Sequence, residues 1–160
     1  MERIKPELLA PAGDRERLEA AVRYGADAVY LAGMSFGMRS APANFGPEEL
    51  VQAVDFCHQR GVKVYVTCNT LPRNEEFAAL PSFLTACQDM GVDAFIISDL
   101  GVLALAGKVA PQVERHISTQ QSIANYVCAQ SWFDLGARRV VLARELSLQE
   151  ILTIRERVSP

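Results

Sequence analysis

The sequence predicts an α/β fold of parallel (β/α) repeats that forms a partial TIM barrel. The first observation is a recurring order of helical stretch, glycine and short apolar run. It occurs four times, at Gly25-Ala-Asp-Ala-Val-Tyr-Leu, Gly61-Val-Lys-Val-Tyr-Val-Thr, Gly91-Val-Asp-Ala-Phe-Ile-Ile-Ser and Gly136-Ala-Arg-Arg-Val-Val-Leu-Ala. The second observation is the spacing of six strand candidates, which begin near residues 7, 27, 62, 93, 115 and 138. Their mean separation of about 26 residues is the length of a βα unit and not of a hairpin.

The strands are predicted from their apolar runs. Each run is short and continuous, as expected for a parallel strand that is covered on both faces. The glycine before each of the four runs fits the position after a helix where a positive φ is needed. Two further strands lack this glycine, Glu7-Leu-Leu-Ala10 at the start of the chain and Arg115-His-Ile-Ser-Thr119 after Pro111.

Helices are predicted to fill the gaps between the strands. Asp14 caps the first helix, and Gly46-Pro47-Glu48 begins the second with a proline in its first turn. The sixth begins with the capping box Ser147-Leu-Gln-Glu150. The remaining three are predicted from Pro81 to Met90, from Gly101 to Lys108, and around Val127, Ser131, Trp132 and Leu135.

Six βα units leave two architectures, a partial TIM barrel and a doubly wound open sheet. A closed barrel needs eight strands and typically about 250 residues, whereas this chain has 160 residues. We therefore expect one barrel-type domain over residues 1–160, with the doubly wound sheet as the alternative. An unclosed barrel leaves two strand edges and an apolar interior, so we also expect the chain to self-associate.

The composition narrows the class of protein. The chain is 49% hydrophobic and 22% charged, with a net charge of −3. These values exclude a disordered polar chain and a general basic surface for nucleic acid or an anionic membrane. No apolar run approaches the roughly 18 residues of a membrane span, and the first residues lack the apolar region of a secretory signal. We expect a cytoplasmic protein with no membrane partner.

The residue types that most often carry catalysis or metals form no recognisable motif. The four cysteines include no C-x-x-C pair, so we expect thiols in or near the core and no metal ligand among Cys57, Cys68, Cys87 and Cys128. The signatures of serine hydrolases, zinc proteases and nucleotide-binding loops are missing. His58 is expected on a helix surface. His116 lies in a strand, where a lone interior histidine is more often a hydrogen-bonded core group than a base.

Polar side chains gather where the predicted strands end, and those ends form one mouth in either architecture. We predict a shared pocket there, in which Arg39 or Arg144 could hold a carboxylate or phosphate by two bonds. The alternative is that some of these residues, above all Asp99, Ser118 and Asn125, cap the next helix. The candidate positions are Arg39, Asn69, Ser98, Asp99, Ser118, Thr119, Gln120, Arg144 and Glu145.

Several of these residues lie in segments that resemble the peptidase U-32 family, and the resemblance runs from about residue 6 to residue 155. Each segment alone is weakly specific, but together they are specific. The segments are Pro6-Glu-Leu-Leu-Ala-Pro-Ala-Gly-Asp14, Tyr24-Gly-Ala-Asp-Ala-Val-Tyr-Leu31, Phe36-Gly-Met-Arg39, Asn44-Phe45, Pro47-Glu-Glu-Leu50, Gly61-Val-Lys-Val-Tyr-Val-Thr67, Asn69-Thr70-Leu71, Ile97-Ser-Asp99-Leu-Gly101, Ile117-Ser-Thr119-Gln120 and Val140-Val-Leu-Ala-Arg144-Glu145-Leu-Ser147.

The resemblance implies a TIM-like barrel that forms the amino-terminal part of a longer enzyme. The family is named for collagenase-like proteases. Other members are tied to hydroxylation of transfer RNA, ribosomal RNA or ubiquinone, several of them with an iron–sulfur cluster. In the family the cluster cysteines lie downstream in a cysteine-rich segment. The resemblance therefore implies no cofactor in this segment and allows a 4Fe-4S cluster in the full-length protein.

The resemblance leaves three functions open. The segments Pro-Glu-Leu-Leu near the start of the chain and Arg-Glu-Leu-Ser near its end resemble the branch of the family that hydroxylates tRNA, and they favour that branch, with RNA as the substrate. A collagenase-like protease acting on protein is the first alternative, and a non-catalytic binding or scaffold fragment is the second. In each case we expect the isolated chain to be inactive.

Within the matching positions, Glu145 and Arg144 are the catalytic candidates and the other seven are candidates for substrate binding. Neighbours on an extended chain point to opposite sides, so we expect one of the two to face the pocket. Glu145 is preferred, because a carboxylate beside a polar mouth can bind a hydroxyl or amine. Arg144 is its rival and would suit an anionic ligand.

Overall fold

Six parallel strands form the sheet in the computed structural model of the protein, which describes residues 5–37 and 44–159. Each strand pairs with the one that follows it in the chain, and every pairing is parallel. The strands are β1 (Leu9–Pro11), β2 (Ala28–Leu31), β3 (Lys63–Cys68), β4 (Ala94–Ile97), β5 (Glu114–Ile117) and β6 (Arg139–Val140).

Helices alternate with these strands and cover the outer face of the sheet. Two short 3-10 helices, Glu76–Ala78 and Thr119–Gln121, lie in the connections after β3 and β5. The α-helices of the described residues are α1 (Arg15–Arg23), α2 (Pro47–His58), α3 (Leu80–Asp89), α4 (Leu100–Val109), α5 (Tyr126–Asp134) and α6 (Leu148–Arg157).

The strand order decides between the two predicted architectures. A doubly wound sheet reverses direction at a switch point, so its strands are not in sequence order. Here the order is β1 to β6 without a reversal, as in consecutive strands of a TIM barrel. The prediction of a partial barrel of six βα units is confirmed, and the doubly wound alternative is wrong.

Local sequence signals set the helix boundaries as predicted. Asp14 accepts a hydrogen bond from the Arg17 backbone N–H at 2.8 Å and caps α1. In α6 the Ser147 and Glu150 side chains form the predicted capping box. The glycines that follow α1, α2, α3 and α5 have φ between +70° and +96°, a region that favours glycine because it has no Cβ.

The sheet has two apolar faces. The larger core lies between the outer face and the helices, where Leu18, Val64, Leu84 and Ile117 are completely buried. The interior face of the half-barrel carries a smaller cluster of Ala28, Tyr65 and Ala94, against which Leu9, Tyr30 and Ile96 pack. Pairing in register places all of these interior residues on one side of the sheet.

The last strand is shorter than the sequence predicts. β6 contains two residues, and the chain then makes one further bridge between Ile123 and Leu142. Arg144 and Glu145 lie in a turn and not at the end of an extended strand, so the expected alternation of their side chains does not apply. None of the helices within residues 5–37 and 44–159 is long and apolar enough to cross a membrane.

Candidate functional site

Hydrogen bonds join the carboxyl ends of three neighbouring strands. The hydroxyl of Ser98, after β4, donates to the carbonyl oxygen of Asn69, after β3, at 3.0 Å. The side chain of Gln120, after β5, donates to the same oxygen at 3.2 Å. The Ser118 hydroxyl donates to Gln120 Oε1 at 3.1 Å. We call Asn69, Ser98, Ser118, Gln120 and Gln121 the mouth network; Gln121 belongs to it because it donates to the Ser98 carbonyl oxygen.

The mouth network has a buried layer and a more accessible layer. The Ser98 and Ser118 side chains are buried, with exposed fractions of 3% and 4%. Asn69, Gln120 and Gln121 are half-buried. The buried hydroxyls therefore hold more accessible amide-bearing residues in place, and they do so at the face where barrels place their active sites. The structure thus brings four of the predicted site residues together: Asn69, Ser98, Ser118 and Gln120.

Two predicted site residues lie at the start of the next helix along the chain. Asp99 Oδ1 accepts a hydrogen bond from the Val102 N–H at 2.9 Å and caps α4. Thr119 begins the short 3-10 helix, whose first turn Ser118 caps by accepting from the Gln120 N–H at 3.4 Å. The capping role that the sequence left open is therefore observed for Asp99, and Ser118 combines capping with membership of the network.

Strained backbone flanks this mouth. Among the described residues, two that are not glycine have a positive φ, Phe36 at 64° and Ser122 at 48°. Phe36 follows β2 and its carbonyl oxygen accepts from the Thr70 N–H, next to Asn69. Ser122 directly follows the Gln120-Gln121 pair. Such conformations cost energy and cluster at functional sites, so they independently mark this end of the sheet.

Besides Asp99 and Thr119, three more predicted site residues are not placed in the network. Arg39 lies outside the described residues. Arg144 and Glu145 are exposed in the turn after β6, and within the described ranges neither forms a hydrogen bond with a member of the mouth network. Their roles remain predictions.

A second polar cluster, which the sequence analysis missed, lies on the interior face near the amino ends of the strands. The Tyr65 hydroxyl donates to both carboxylate oxygens of Glu7, each at 2.9 Å. Arg139 Nη1 donates to Glu7 Oε1 at 2.5 Å, and its guanidinium lies 5.6 Å from the centre of the Tyr65 ring. We call Glu7, Tyr65 and Arg139 the interior clasp. The signal in the sequence that could have revealed the clasp is the presence of charged residues at the amino end of the sixth apolar run.

His116 completes this interior surface. It is buried and its ring meets the Tyr65 ring edge-on, with centroids 4.8 Å apart. Its Nε2 lies 2.9 Å from Glu114 Oε2. Burial lowers the pKa of His116, although the hydrogen bond to Glu114 opposes that shift. The prediction that His116 is a hydrogen-bonded interior histidine is confirmed.

The pKa values of Glu7 and Tyr65 in the clasp are shifted by burial and by their hydrogen-bond partners. Burial opposes ionisation of Glu7, but hydrogen bonds from Arg139 and Tyr65 outweigh it and lower the pKa of this carboxyl. Burial, together with the bond to Glu7, raises the pKa of Tyr65. The clasp is therefore a carboxylate held by a guanidinium and a protonated phenol.

The histidines and thiols show what chemistry this part of the chain supports. His58 lies on the surface as predicted and its Nε2 is 2.9 Å from Asp93 Oδ2, so both histidines bind carboxylates instead of a hydroxyl or thiol nucleophile. Burial raises the pKa of Cys57 to about 11 and that of Cys87 to about 12. Such thiols are protonated and inert. Within the described residues no three His, Cys, Asp or Glu side chains are grouped as a metal site needs.

Comparison with known proteins shows what the chain is similar to. The model of peptidase family U32 matches residues 13–160. A tRNA hydroxylation protein P1 of Bacillus subtilis (strain 168) is 46% identical over 96% of this chain and 36% of its own length. Five of the relatives bear a tRNA hydroxylation name, at 37–46% identity. A collagenase of Porphyromonas gingivalis is 38% identical over 95% of this chain and 36% of its own length.

Solved structures agree on the fold. The U32 peptidase Mk0906 superposes with a TM-score of 0.80 at 19% identity, over 99% of this chain and 68% of that one. Deoxyribose phosphate aldolase from Aeropyrum pernix has a TM-score of 0.68 at 14% identity, over 94% of this chain and 67% of that one. This chain spans about a third of the length of the first curated relatives it matches. On the match of the family model over residues 13–160, the chain belongs to peptidase family U32.

Proposed function

We propose that this chain is the amino-terminal barrel part of a protein that hydroxylates tRNA. The observation that carries the proposal is identity: relatives with a tRNA hydroxylation name reach 46% over nearly the whole chain, whereas the collagenase reaches 38%. The mouth network supports the proposal, because it offers neutral donors and acceptors at the functional face of a barrel. An RNA-modifying role also fits a cytoplasmic protein.

The chain's own residues would bind and orient the substrate in this proposal. The mouth network supplies fixed hydrogen-bonding groups, and Arg144 and Glu145 extend the same face after β6. The net charge of −3 means that basic contacts with the RNA backbone would come mainly from outside this segment. The isolated chain is accordingly proposed to be inactive.

The residues present do not fit an iron–sulfur cluster. Cluster ligands are thiolates that converge on one site, but the cysteines lie on four different elements, α2, β3, α3 and α5. Three of the thiols are buried, Cys57, Cys68 and Cys87. We therefore propose that any 4Fe-4S cluster of the full-length protein is held outside this segment.

A chimaera tests the proposed function. This chain replaces the matching segment of Bacillus subtilis tRNA hydroxylation protein P1 in a strain that lacks that protein. Mass spectrometry of tRNA nucleosides then measures the gain of one oxygen atom. Restored hydroxylation is expected. A control chimaera with Val64→Asp should restore none, because Val64 is completely buried in the core.

Other outcomes of this test identify the alternatives. A soluble, folded chimaera that restores no hydroxylation would contradict the proposal. Gelatin cleavage by the same purified chimaera would then favour the collagenase-like peptidase. If neither activity is found, the scaffold alternative is favoured.

A further inference from the structure

One cavity of the half-barrel lies at the amino ends of the strands, on the face opposite the mouth network. It is an open cavity of about 600 Å³ between the carboxyl-terminal ends of α1 and α2, next to the turns that lead into β2 and β3. None of its lining residues belongs to the mouth network or to the interior clasp. We call it the α1–α2 cavity, and its charged and aromatic lining residues are Glu19, Arg23, Asp27, Phe56 and Arg60.

Both carboxylates of the α1–α2 cavity already bind a cation of this chain. Glu19 Oε1 accepts from Arg15 Nε at 2.7 Å. Asp27 Oδ1 accepts from Lys5 Nζ at 3.1 Å, and its Oδ2 accepts from the Leu8 N–H at 2.8 Å. Each of the two ion pairs is neutral as a whole. The charge of the cavity is therefore set by its two remaining charged side chains.

These two side chains are guanidinium groups without a carboxylate partner in the described part of the chain. Arg23 is exposed in the last turn of α1, and its side chain forms no ion pair or hydrogen bond with residues 5–37 and 44–159. Arg60 is exposed just after α2, and its Nη1 donates to the uncharged carbonyl oxygen of Phe56 at 3.0 Å. Both positive charges are therefore available to an anion from outside the chain.

Phe56 holds the Arg60 guanidinium in one orientation. Arg60 Cζ lies over the Phe56 ring, 3.9 Å from its centre, and Arg15 Cζ lies 4.5 Å from the same centre. Stacking uses the flat face of a guanidinium and leaves the N–H groups at its edge for a ligand. A guanidinium that is already held loses less conformational entropy when it binds, so Arg60 is oriented in advance for an anion.

We propose that the α1–α2 cavity binds a phosphate group of the RNA backbone through Arg23 and Arg60. The fork of guanidinium N–H groups matches the oxygens of a phosphate, and contacts of this kind position a nucleic acid without reading its sequence. Because the cavity lies opposite the mouth, this contact holds a part of the RNA that is remote from the mouth network. The inference rests on the proposed tRNA hydroxylation and adds a backbone contact from within this segment.

Fluorescence anisotropy of the purified chain with a labelled single strand of uridines, over a series of salt concentrations, tests the proposal. Replacing both arginines, Arg23→Gln with Arg60→Gln, should weaken binding about tenfold, or ~1.4 kcal/mol. The slope of log affinity against log salt concentration should fall by about 0.7, the value for one phosphate contact on a single strand. An adenosine strand should show the same loss, because the backbone is common to both strands.

A matched double variant on α6 separates a site from a general effect of charge. Arg155 and Arg157 lie in the last turn of α6, and Arg157 lies over the Tyr126 ring, 4.9 Å from its centre. Arg155→Gln with Arg157→Gln therefore removes the same charge, also from a helix end and a stacked arginine, but away from the α1–α2 cavity. This control should keep the affinity within about twofold and the salt slope unchanged.

A purely structural role is the ordinary explanation of arginines at helix ends, since cations there interact favourably with the helix macrodipole. That role predicts a small loss of stability and no selective loss of RNA affinity. Urea unfolding of each variant measures the stability. Arg23→Gln alone provides a second variant, because its side chain has no described partner to lose, and it should still weaken RNA binding about threefold.

Several results would overturn the proposal. Equal losses of RNA affinity in the two double variants would show a general charge effect, and absence of RNA binding by the unaltered chain would exclude the ligand. Displacement of the RNA by polyglutamate as readily as by unlabelled RNA would show a site for an acidic protein. Displacement by inorganic phosphate at the same concentration as unlabelled RNA would show a site for the free ion.

The chimaera distinguishes the failure of this inference from the failure of the proposed function. Full hydroxylation at limiting tRNA concentration in a chimaera with both Arg23→Gln and Arg60→Gln would refute the inference and leave the proposed function standing. A folded chimaera that hydroxylates no tRNA, but loses RNA affinity when both arginines are replaced, would refute the proposed function and leave the phosphate site standing.

Discussion

Glu7 and Arg139 are 132 residues apart in the sequence and form a salt bridge across the interior of the half-barrel, with Arg139 Nη1 2.5 Å from Glu7 Oε1. Glu7 precedes β1 and Arg139 begins β6, so the bond connects the two edges of the sheet. Tyr65 of β3 bonds to the same carboxylate. The interior clasp therefore covers part of the apolar interior that an open barrel would expose, and Tyr65 is 1% exposed.

The first prediction concerns the stability that the clasp provides. Glu7→Gln should lower the free energy of unfolding by about 1–2 kcal/mol, since it weakens charge-assisted bonds to Arg139 and Tyr65. The value is modest because Arg139 is 39% exposed and solvent screens the pair.

Urea unfolding measures the change in the free energy of unfolding. The control is Glu19→Gln, which weakens the exposed Arg15–Glu19 pair and should lower the free energy of unfolding by about 0.5 kcal/mol or less. Additive effects of Glu7→Gln and Arg139→Met would contradict a coupled clasp.

The second prediction is a loss of stability in mild acid through His116. Burial lowers its pKa in the folded state below the ordinary value of 6.5, so below that value the unfolded chain binds more protons than the folded one. The stability contribution is complete above pH 6.5 and is lost as pH falls from there through the folded pKa. Arg139 and Tyr65 face His116 together with Glu114 and Glu7, and the guanidinium of Arg139 disfavours protonation further.

Urea unfolding at a series of pH values checks this prediction. Between about pH 6.5 and pH 5 the free energy of unfolding should fall less steeply in His116→Phe, which keeps an aromatic ring against Tyr65. His58→Gln is the control and should retain the slope that His116 causes. The carboxyl of Glu7 contributes in a different window, because its pKa is lowered from the ordinary value of 4.5: its stabilisation is complete above that value and is lost as pH falls from there through the folded pKa. The same slope in His116→Phe and the unaltered chain would refute the role of His116.

The third prediction concerns thiol reactivity. Burial raises the pKa of Cys57 to about 11 and of Cys87 to about 12, and it raises the pKa of Cys68 as well. Since the thiolate is the reactive form, these three should resist a disulfide reagent at about pH 8. Cys128 is half-buried on α5 and should react first. Mass spectrometry counts the modified thiols, and Cys128→Ser should remove the fast phase. Rapid modification of Cys68 would show that the core opens more readily than the packing implies.

The fold was predictable from local patterns in the sequence. Gly25, Gly61, Gly91 and Gly136 each adopt the positive φ that their position after a helix requires, so chain reversal before each strand follows from single residues. The capping residues Asp14 and Ser147 act within four residues of their partners. Such short-range interactions are determined by neighbouring residues, and sequence patterns therefore reveal them.

The candidate site was only partly predictable, for physical reasons. The gathering of Asn69, Ser98 and Gln120 follows from parallel strand ends. The clasp depends on sheet curvature, which brings Glu7 and Arg139 together over 132 residues, and no local pattern encodes it. The predicted end of β6 was wrong. Apolar residues continue past Val140 and suggested a longer strand, but the chain turns at Arg144 and Glu145.

The fourth prediction is self-association, which we propose from the apolar surface that the half-barrel leaves exposed. On α6, Leu148, Ile151 and Leu152 are 73%, 37% and 41% exposed, and their spacing places them on one stripe of the helix. Light scattering should detect oligomers of the isolated chain. Leu148→Gln combined with Leu152→Gln should shift the population toward monomer, whereas Val51→Gln on the surface of α2 should not. A monomer at all concentrations would show that this surface is stable in water.

The fifth prediction concerns Glu145 and Arg144, which follow β6 at the carboxyl end where barrel enzymes place their functional groups. Both are exposed in a turn, so the alternation of an extended strand does not force one of them away from the mouth. In the chimaera, Glu145→Gln should lower the rate of tRNA hydroxylation at least tenfold, or ~1.4 kcal/mol of activation free energy, because it removes a carboxylate that can bind a substrate hydroxyl or amine. Glu156→Gln on the exposed side of α6 is the matched control and should leave the rate unchanged. A large effect of Arg144→Ala with none of Glu145→Gln would indicate an anionic ligand, and unchanged rates in both variants would remove this turn from the site.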